Sequence, residues 1–338
     1  MKVRMRLAVV VAALACMCAA AGAEKKPKLE KPMAGPRAAA LRVSILYVAP
    51  DKQSQKVDRV QIGREMVVAE KSGPWIRVYA NTDAEQLRDQ RDMPLLGSDE
   101  ENQPPVSGWM EAKGVVMETT PNGDQVLMGE AANQEALAQD PRGPVNAAQS
   151  ARLLYRRLTE MFPASPLAAE AAWRTADIQW QIEKADAATR PSAHEKEAYL
   201  REGMNEDELK KVIKQYPRTR EADLAAFDLI DNKLCGDWQG SEKCPEKESE
   251  LYEKYAAEHT DGPRTAQALY LAVYRQAVLT DMYAADDNQN KSKAAHTHAA
   301  ELAAKLKERF PTTDYSWRAG ALVYKLDEGI PVYGIDRE

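Results

Sequence analysis

The sequence predicts two folds in one chain: a small all-β barrel followed by an all-α array of helical repeats. Three observations predict it. Between Leu41 and Val116, apolar and polar residues alternate in short runs broken by Gly and Pro. From Val145 onward the apolar period becomes helical. Within that helical half one short motif recurs four times. A chain of 338 residues has room for both folds, each with its own core. Its net charge of −6 and lack of a basic stripe argue against nucleic acid and anionic membrane surfaces as partners.

The chain opens with a charged, then apolar leader. Lys2, Arg4 and Arg6 precede an apolar run at residues 7–15, and Ala21-Gly22-Ala23 fits a small-residue cleavage site. Residues 1–23 therefore read as a secretory signal peptide. The apolar run is too short for a membrane span, and no later segment is long and apolar enough. Two fates stay open. Cleavage after Ala23 would release a soluble exported protein. Acylation of Cys16 would anchor it, because Ala13-Leu14-Ala15-Cys16 resembles a bacterial lipobox, with Ala in place of Leu three residues before the cysteine. Residues 24–40, rich in Lys, Pro, Ala and Gly, read as a linker.

Residues 41–118 carry the strands. Leu41, Val43, Ile45 and Tyr47 alternate before the break at Ala49-Pro50-Asp51. Residues 66–69 form an apolar run between turns at Gly63 and Gly73. Residues 75–79 alternate again, and Gly108-Trp109-Met110 with Val115-Val116 close the series. Residues 83–107 are charged and carry prolines, and read as a disordered insert. Residues 119–144 read as a second linker, with a turn at Pro121-Asn122-Gly123-Asp124 and room for a short helix over 130–138.

Residues 145–338 form the helical array. Its motif is Phe162-Pro163-Ala164-Ser165, Tyr216-Pro217-Arg218-Thr219, His259-Thr260-Asp261-Gly262 and Phe310-Pro311-Thr312-Thr313. Each copy ends one apolar-periodic helix in a ring and starts the next from a hydroxyl or acidic cap. Alanines follow, which let helix backbones approach closely. Ser165-Pro166 reads as an N-cap and first helical residue. Helices are expected over 207–216, 222–234, 299–310 and 316–326, and another helix pair begins near Leu251. Residues 265–283 are apolar nearly all round, which places them centrally, and 286–293 read as a flexible polar loop.

Two resemblances follow from these residues. The β part resembles a bacterial SH3 domain in Leu46-Tyr47-x-x-Pro50, Gly63 before Val67-Val68, Gly73-x-Trp75-x-x-Val78, and Gly108-Trp109-Met110 before Val115. The insert at 83–107 departs from that family. The helical part resembles tetratricopeptide-like repeats of bacterial cell-envelope proteins, of the Tol-Pal coordinator and outer-membrane assembly lipoprotein type. That likeness rests on Tyr155…Phe162-Pro163-x-Ser165-x-x-Ala168, Leu209…Tyr216-Pro217-x-Thr219-x-x-Ala222 and Leu306…Phe310-Pro311-x-Thr313. The copies lie 54, 43 and 51 residues apart, against roughly 34 for a standard unit. Together the resemblances imply a non-enzymatic periplasmic binding or scaffold protein. Its partner would be an envelope protein or a peptidoglycan peptide, with Tyr47, Trp75 and Trp109 as a candidate peptide groove. Two other readings are an accessory subunit of a cell-wall hydrolase, targeted by the SH3-like domain, and a lipid-anchored outer-membrane assembly factor.

Few residues invite chemistry. Cys235 and Cys244, nine residues apart in an exported chain, are expected to form a disulfide that pins the turn between Leu234 and Leu251. His296 and His298 would point about 200° apart on a helix and so would not share a metal. His194 and His259 stand alone. Glu206-Asp207-Glu208 suits a helix N-terminus. The run from Asp286 to Asn290 lacks the spacing and distal Glu of a calcium loop. There is no G-x-S-x-G, H-E-x-x-H or P-loop, so no cofactor and no catalytic site is expected. Trp173, Trp180, Tyr270, Tyr274, Trp317 and Tyr324 fall at helical spacing and read as core.

Overall fold

The computed structural model describes residues 34–84 and 105–333. The signal peptide, Cys16, most of the 24–40 linker and most of the 83–107 insert lie outside the described residues. Among the described residues seven strands form one antiparallel sheet: β1 (Arg37–Ala40), β2 (Ser44–Tyr47), β3 (Lys56–Val60), β4 (Glu65–Ser72), β5 (Trp75–Ala80), β6 (Val106–Glu111) and β7 (Val115–Met117). Their order is β3-β2-β6-β5-β4-β1-β7, with β3 and β7 at the edges. Strand alternation sends Leu46, Met66, Ile76, Val78 and Met110 to one buried face.

Two expected linkers are structured. Residues 37–40 are strand β1, which pairs with both β4 and β7. Ala38 and Ala40 join the core of the sheet, and Ala39 joins the core it shares with the helices. A strand buried on both faces shows no alternation, and short alanines carry little apolar signal. The second linker contains helix α1 (Gly123–Gln139), longer than the short helix expected there. It buries Gly123, Leu127, Ala131 and Gln134, a narrow stripe with a single large apolar residue. At the margins of the insert, Asp83 is fully buried and Val106 and Ser107 belong to β6.

Eight further helices follow among the described residues: α2 (Ala147–Met161), α3 (Ala168–Ala188), α4 (Asp207–Gln215), α5 (Arg220–Asp228), α6 (Lys243–Glu258), α7 (Thr265–Ala285), α8 (Gln289–Arg309) and α9 (Asp314–Asp327). Each packs on its neighbour within a pair, and α7 also contacts α6, α8 and α9. Its central position matches its apolar composition. Helix α8 starts at Gln289, so the expected polar loop shrinks to three residues, and Asn288 caps it by accepting from Lys291 N–H at 3.3 Å. Ser165 is not the N-cap of α3, which begins at Ala168. Its hydroxyl accepts from Leu167 N–H at 3.1 Å instead.

The repeated motif folds the same way four times. Phe162, Tyr216, His259 and Phe310 all end their helices near φ −118 to −134° and ψ 54 to 60°. Each donates its N–H to the carbonyl four residues back. In the second and fourth copies the threonine hydroxyl donates to the carbonyl of the ring-bearing residue itself, Thr219 to Tyr216 and Thr313 to Phe310, and also caps the next helix. The third copy has Gly262 at that place. There the buried Thr265 hydroxyl, from the first turn of α7, donates to the His259 carbonyl.

The sheet and the helices are fused. Arg157 of α2 is wholly buried and donates from Nε to the Gly63 carbonyl at 3.0 Å and from Nη2 to Asp83 at 2.6 Å. Arg64 donates from Nε to the other Asp83 oxygen at 2.9 Å. Glu160 of α2 pairs with Arg157, with Arg156 at 2.8 Å and with Arg37 of β1 at 2.9 Å. Gly63 has φ +75°, and a Cβ there would lie 2.6 Å from Leu153 Cβ of α2. Burial pushes the Glu160 carboxyl up, but Arg157, Arg156 and Arg37 outweigh it and hold the group below its ordinary range.

Removing one partner of a buried ion pair strands the other charge. Arg157→Met should therefore lower unfolding free energy by about 3–5 kcal/mol, read from urea denaturation. Glu160 adds a pH signature. Its folded value lies below the ordinary 4.5, so its contribution is complete above that pH and is lost as pH falls through the folded value. Glu160→Gln should flatten the acid limb of the stability profile.

Candidate functional site

The sheet brings Tyr47, Trp75 and Trp109 together. Tyr47 ends β2 opposite Trp109 on β6. Trp109 lies opposite Arg77 on β5, and Trp75 opposite Glu111. Alternation puts all three aromatics on the face away from buried Leu46, Ile76 and Met110. The Tyr47 and Trp75 rings meet edge to face, with centroids 5.7 Å apart. All three side chains are half-buried, and exposed Ile45 and Val57 extend the apolar surface.

Charge rims this surface. Glu111 pairs with Lys52 at 2.9 Å and Arg42 at 3.7 Å. The Lys52 hydrogen bond holds the Glu111 carboxyl below its ordinary range. Sequence reasoning found the aromatics and missed Arg77 and Glu111, which gain meaning only from strand register. Rings flanked by ion-paired side chains can stack on an apolar or peptide group.

The helical half offers a second concavity. A cavity of about 470 Å³ is lined by Glu183, Asp186, Arg190, Glu202 and Asn205, among others. It adjoins a smaller one of about 220 Å³, with Ala187, Glu202, Gly203 and Met204 common to both. Arg190 spans the first cavity by pairing with Asp186 and Glu202.

Cys235 and Cys244 form the expected disulfide, with Cα atoms 6.0 Å apart. It ties the loop after Leu234 to the first turn of α6, where Cys244 lies. The buried Glu248 carboxylate organises the knot. It accepts from Cys235 N–H at 3.0 Å and Trp238 Nε1–H at 3.1 Å, and pairs with Arg275 at 3.0 Å. The Arg275 guanidinium lies 5.3–5.5 Å from the Trp238, Tyr252 and Tyr274 ring centroids. A Cβ on Gly236 would fall 2.3 Å from the Ala193 carbonyl oxygen, so the knot sits tightly on residues 191–195.

The histidines go separate ways. His296 meets Asp327 of α9 at 2.9 Å, and His298 meets Glu253 of α6 at 3.0 Å. His259 stacks on Tyr255 and meets Asp223 at 2.7 Å. Among the described residues, no three His, Cys, Asp or Glu side chains are grouped to hold a metal ion. Trp173 and Trp180 are buried as expected, and their indoles donate to Asp228 and Asp231, each at 3.3 Å. Burial first, then the Asp177 carboxylate, pushes Asp228 up to about 7. Trp317 and Tyr324 are not core, being 64% and 61% exposed.

No family model matches the chain, and no curated protein sequence matches it. No helix among the described residues is long and apolar enough to cross a membrane.

Reduction of the disulfide, or replacement of both cysteines by serine, should lower unfolding free energy by about 2–3 kcal/mol in denaturant titrations. Asp228 gives a pH test. Unfolded, it ionises near its ordinary 3.8, whereas folded it stays protonated to about 7. The folded state therefore loses stability as pH rises across that window. The thermal midpoint of Asp228→Asn should gain on that of the parent from about pH 4 to 7 and hold a constant lead above it.

Proposed function

We propose that this chain is a non-enzymatic binding or scaffold protein of the bacterial periplasm. In this reading the sheet is an SH3-like barrel and the helices are tetratricopeptide-like repeats with insertions. The Tyr47, Trp75 and Trp109 face holds an envelope protein or a peptidoglycan peptide, and the helices present it at a fixed orientation. The observation that carries the reading is this aromatic face, half-open on a sheet fused to the helical array. The disulfide is consistent with an oxidising compartment. The shared cap geometry of four helix ends favours a repeat origin for the helices.

The test is retention by isolated cell-wall sacculi and, separately, by immobilised envelope extract. The Trp75→Ala/Trp109→Ala double variant should lose at least about tenfold in retention, with a thermal midpoint within a few degrees of the parent's. Retention unchanged in both assays would remove the sheet face from the function.

A further inference from the structure

Strand register sets five side chains in one row across the sheet. Tyr47 of β2 pairs with Lys56 of β3 on one side and with Trp109 of β6 on the other. Trp109 pairs with Arg77 of β5, and Arg77 with Glu70 of β4. Residues directly opposite on neighbouring strands share a face. The row thus reads cation, ring, ring, cation, acid. Lys56 and Arg77 are exposed, and neither has an ion-pair partner among the described residues. The other charges near the rings tilt the same way. Arg59, opposite Ile45, is a third exposed cation on this face. Glu111, opposite Trp75 in the next row, is taken by Lys52 and Arg42. Asp58 lies opposite buried Leu46, on the other side of its strand. Asp51 accepts from Gln53 N–H at 3.0 Å in the turn between β2 and β3. Glu70 is left at the far end, where it bounds the row.

We propose that this face takes an extended acidic peptide of a partner protein, with carboxylates at positions i and i+4 and an apolar side chain at i+2. The proposal rests on the sheet-face reading above and names its ligand. Lys56 and Arg77 stand three strand steps apart, or about 14 Å. Four residues of extended chain span about 13–14 Å. Side chains at i, i+2 and i+4 of such a chain point to the same side. A peptide crossing the strands therefore sets one acid on Lys56 and the other on Arg77. Its middle side chain then lies on the Tyr47 and Trp109 rings. Glu70, one strand further, opposes any acid beyond i+4. The rings call for apolar bulk between the two acids. A protein segment supplies that bulk, and the alanines of a cell-wall stem peptide do not.

The experiment is a fluorescence-anisotropy titration of the labelled peptide Ser-Glu-Thr-Leu-Thr-Glu-Ser with the full chain, to about 1 mM. Saturable binding that weakens with added salt is expected. The same peptide with both glutamates changed to lysine, or with them two residues apart, should bind at least about tenfold more weakly. Arg77→Glu and Lys56→Glu should each cost at least about tenfold in affinity. Both side chains are exposed, so the thermal midpoint should stay within a few degrees of the parent's. Together the two reversals should move the preference to the lysine peptide. Glu70→Gln should tighten binding, because it removes a like charge beside the second carboxylate. No saturation with the glutamate peptide, or binding indifferent to Arg77→Glu, overturns the proposal. A cell-wall stem peptide that binds as tightly as the glutamate peptide overturns it too. If the glutamate peptide fails while retention by sacculi or envelope extract still depends on Trp75 and Trp109, the acidic ligand falls and the sheet-face reading stands.

Discussion

The buried guanidinium of Arg157 is the constraint on which the rest of the fold depends. A charge with no exposed surface must find its partners inside the protein. Arg157 finds them in two places at once: Gly63 and Asp83 from the sheet, and Glu160 from its own helix. Glu160 extends the chain of charges to Arg37, and Arg37 to Glu65. Satisfying one side chain therefore fixes β1, the β3–β4 turn, the end of β5 and α2 in a single arrangement. Close packing of Gly63 on Leu153 leaves no room for that arrangement to slide.

From α2 onward, order is passed along by a local device rather than by charge. Each helix pair turns through the same backbone conformation at its ring-bearing residue. A hydroxyl donates to the carbonyl of the ring-bearing residue in three of the four copies, from Thr219, Thr265 and Thr313. Thr265 shows that the bond can come from another sequence position, and the first copy, whose Ser165 hydroxyl donates to Asp124 at 2.6 Å, turns the same way without it. The glycine of the third copy removes the hydroxyl three residues after the ring, and a threonine six residues after it makes the same bond. The second set of charges, Glu248 and Arg275, then holds the cross-linked connection between α5 and α6 against the array.

Much of this was legible in the sequence, for definite reasons. Strand β5 announced itself by alternation, and the helix ends by their rings, prolines and hydroxyls. Strand β2 did not: it starts only at Ser44, the alternating Val43 and Ile45 lie on the exposed side, and Leu46 is the buried residue. The aromatic face was legible residue by residue, as Tyr47, Trp75 and Trp109, but its charged rim was not. Arg77 and Glu111 become neighbours of the aromatics only through register. Strand β1 escaped because its buried residues are alanines, which bury little area and leave no pattern, and helix α1 was legible only in its second half, over 130–138. Trp317 and Tyr324 failed in the opposite direction. Their period is that of a helix face, and period alone does not say whether a face turns inward or outward.

The place of β1 in the sheet bears on how this protein could have been assembled from simpler parts. Arg37–Ala40 lies between β4 and β7, so it joins the last strand of the sheet to the rest. A fragment cut at the first visibly alternating residue, Leu41, would leave β7 detached from the sheet and β4 with an unpaired edge. Even the whole sheet would carry Ala39 and Val116 bare, because their cover is supplied by the helices. The sheet is thus not a portable module joined to a spacer. It is folded by its neighbours, and any shuffling of such a unit between chains would have to carry α1 and α2 along with it.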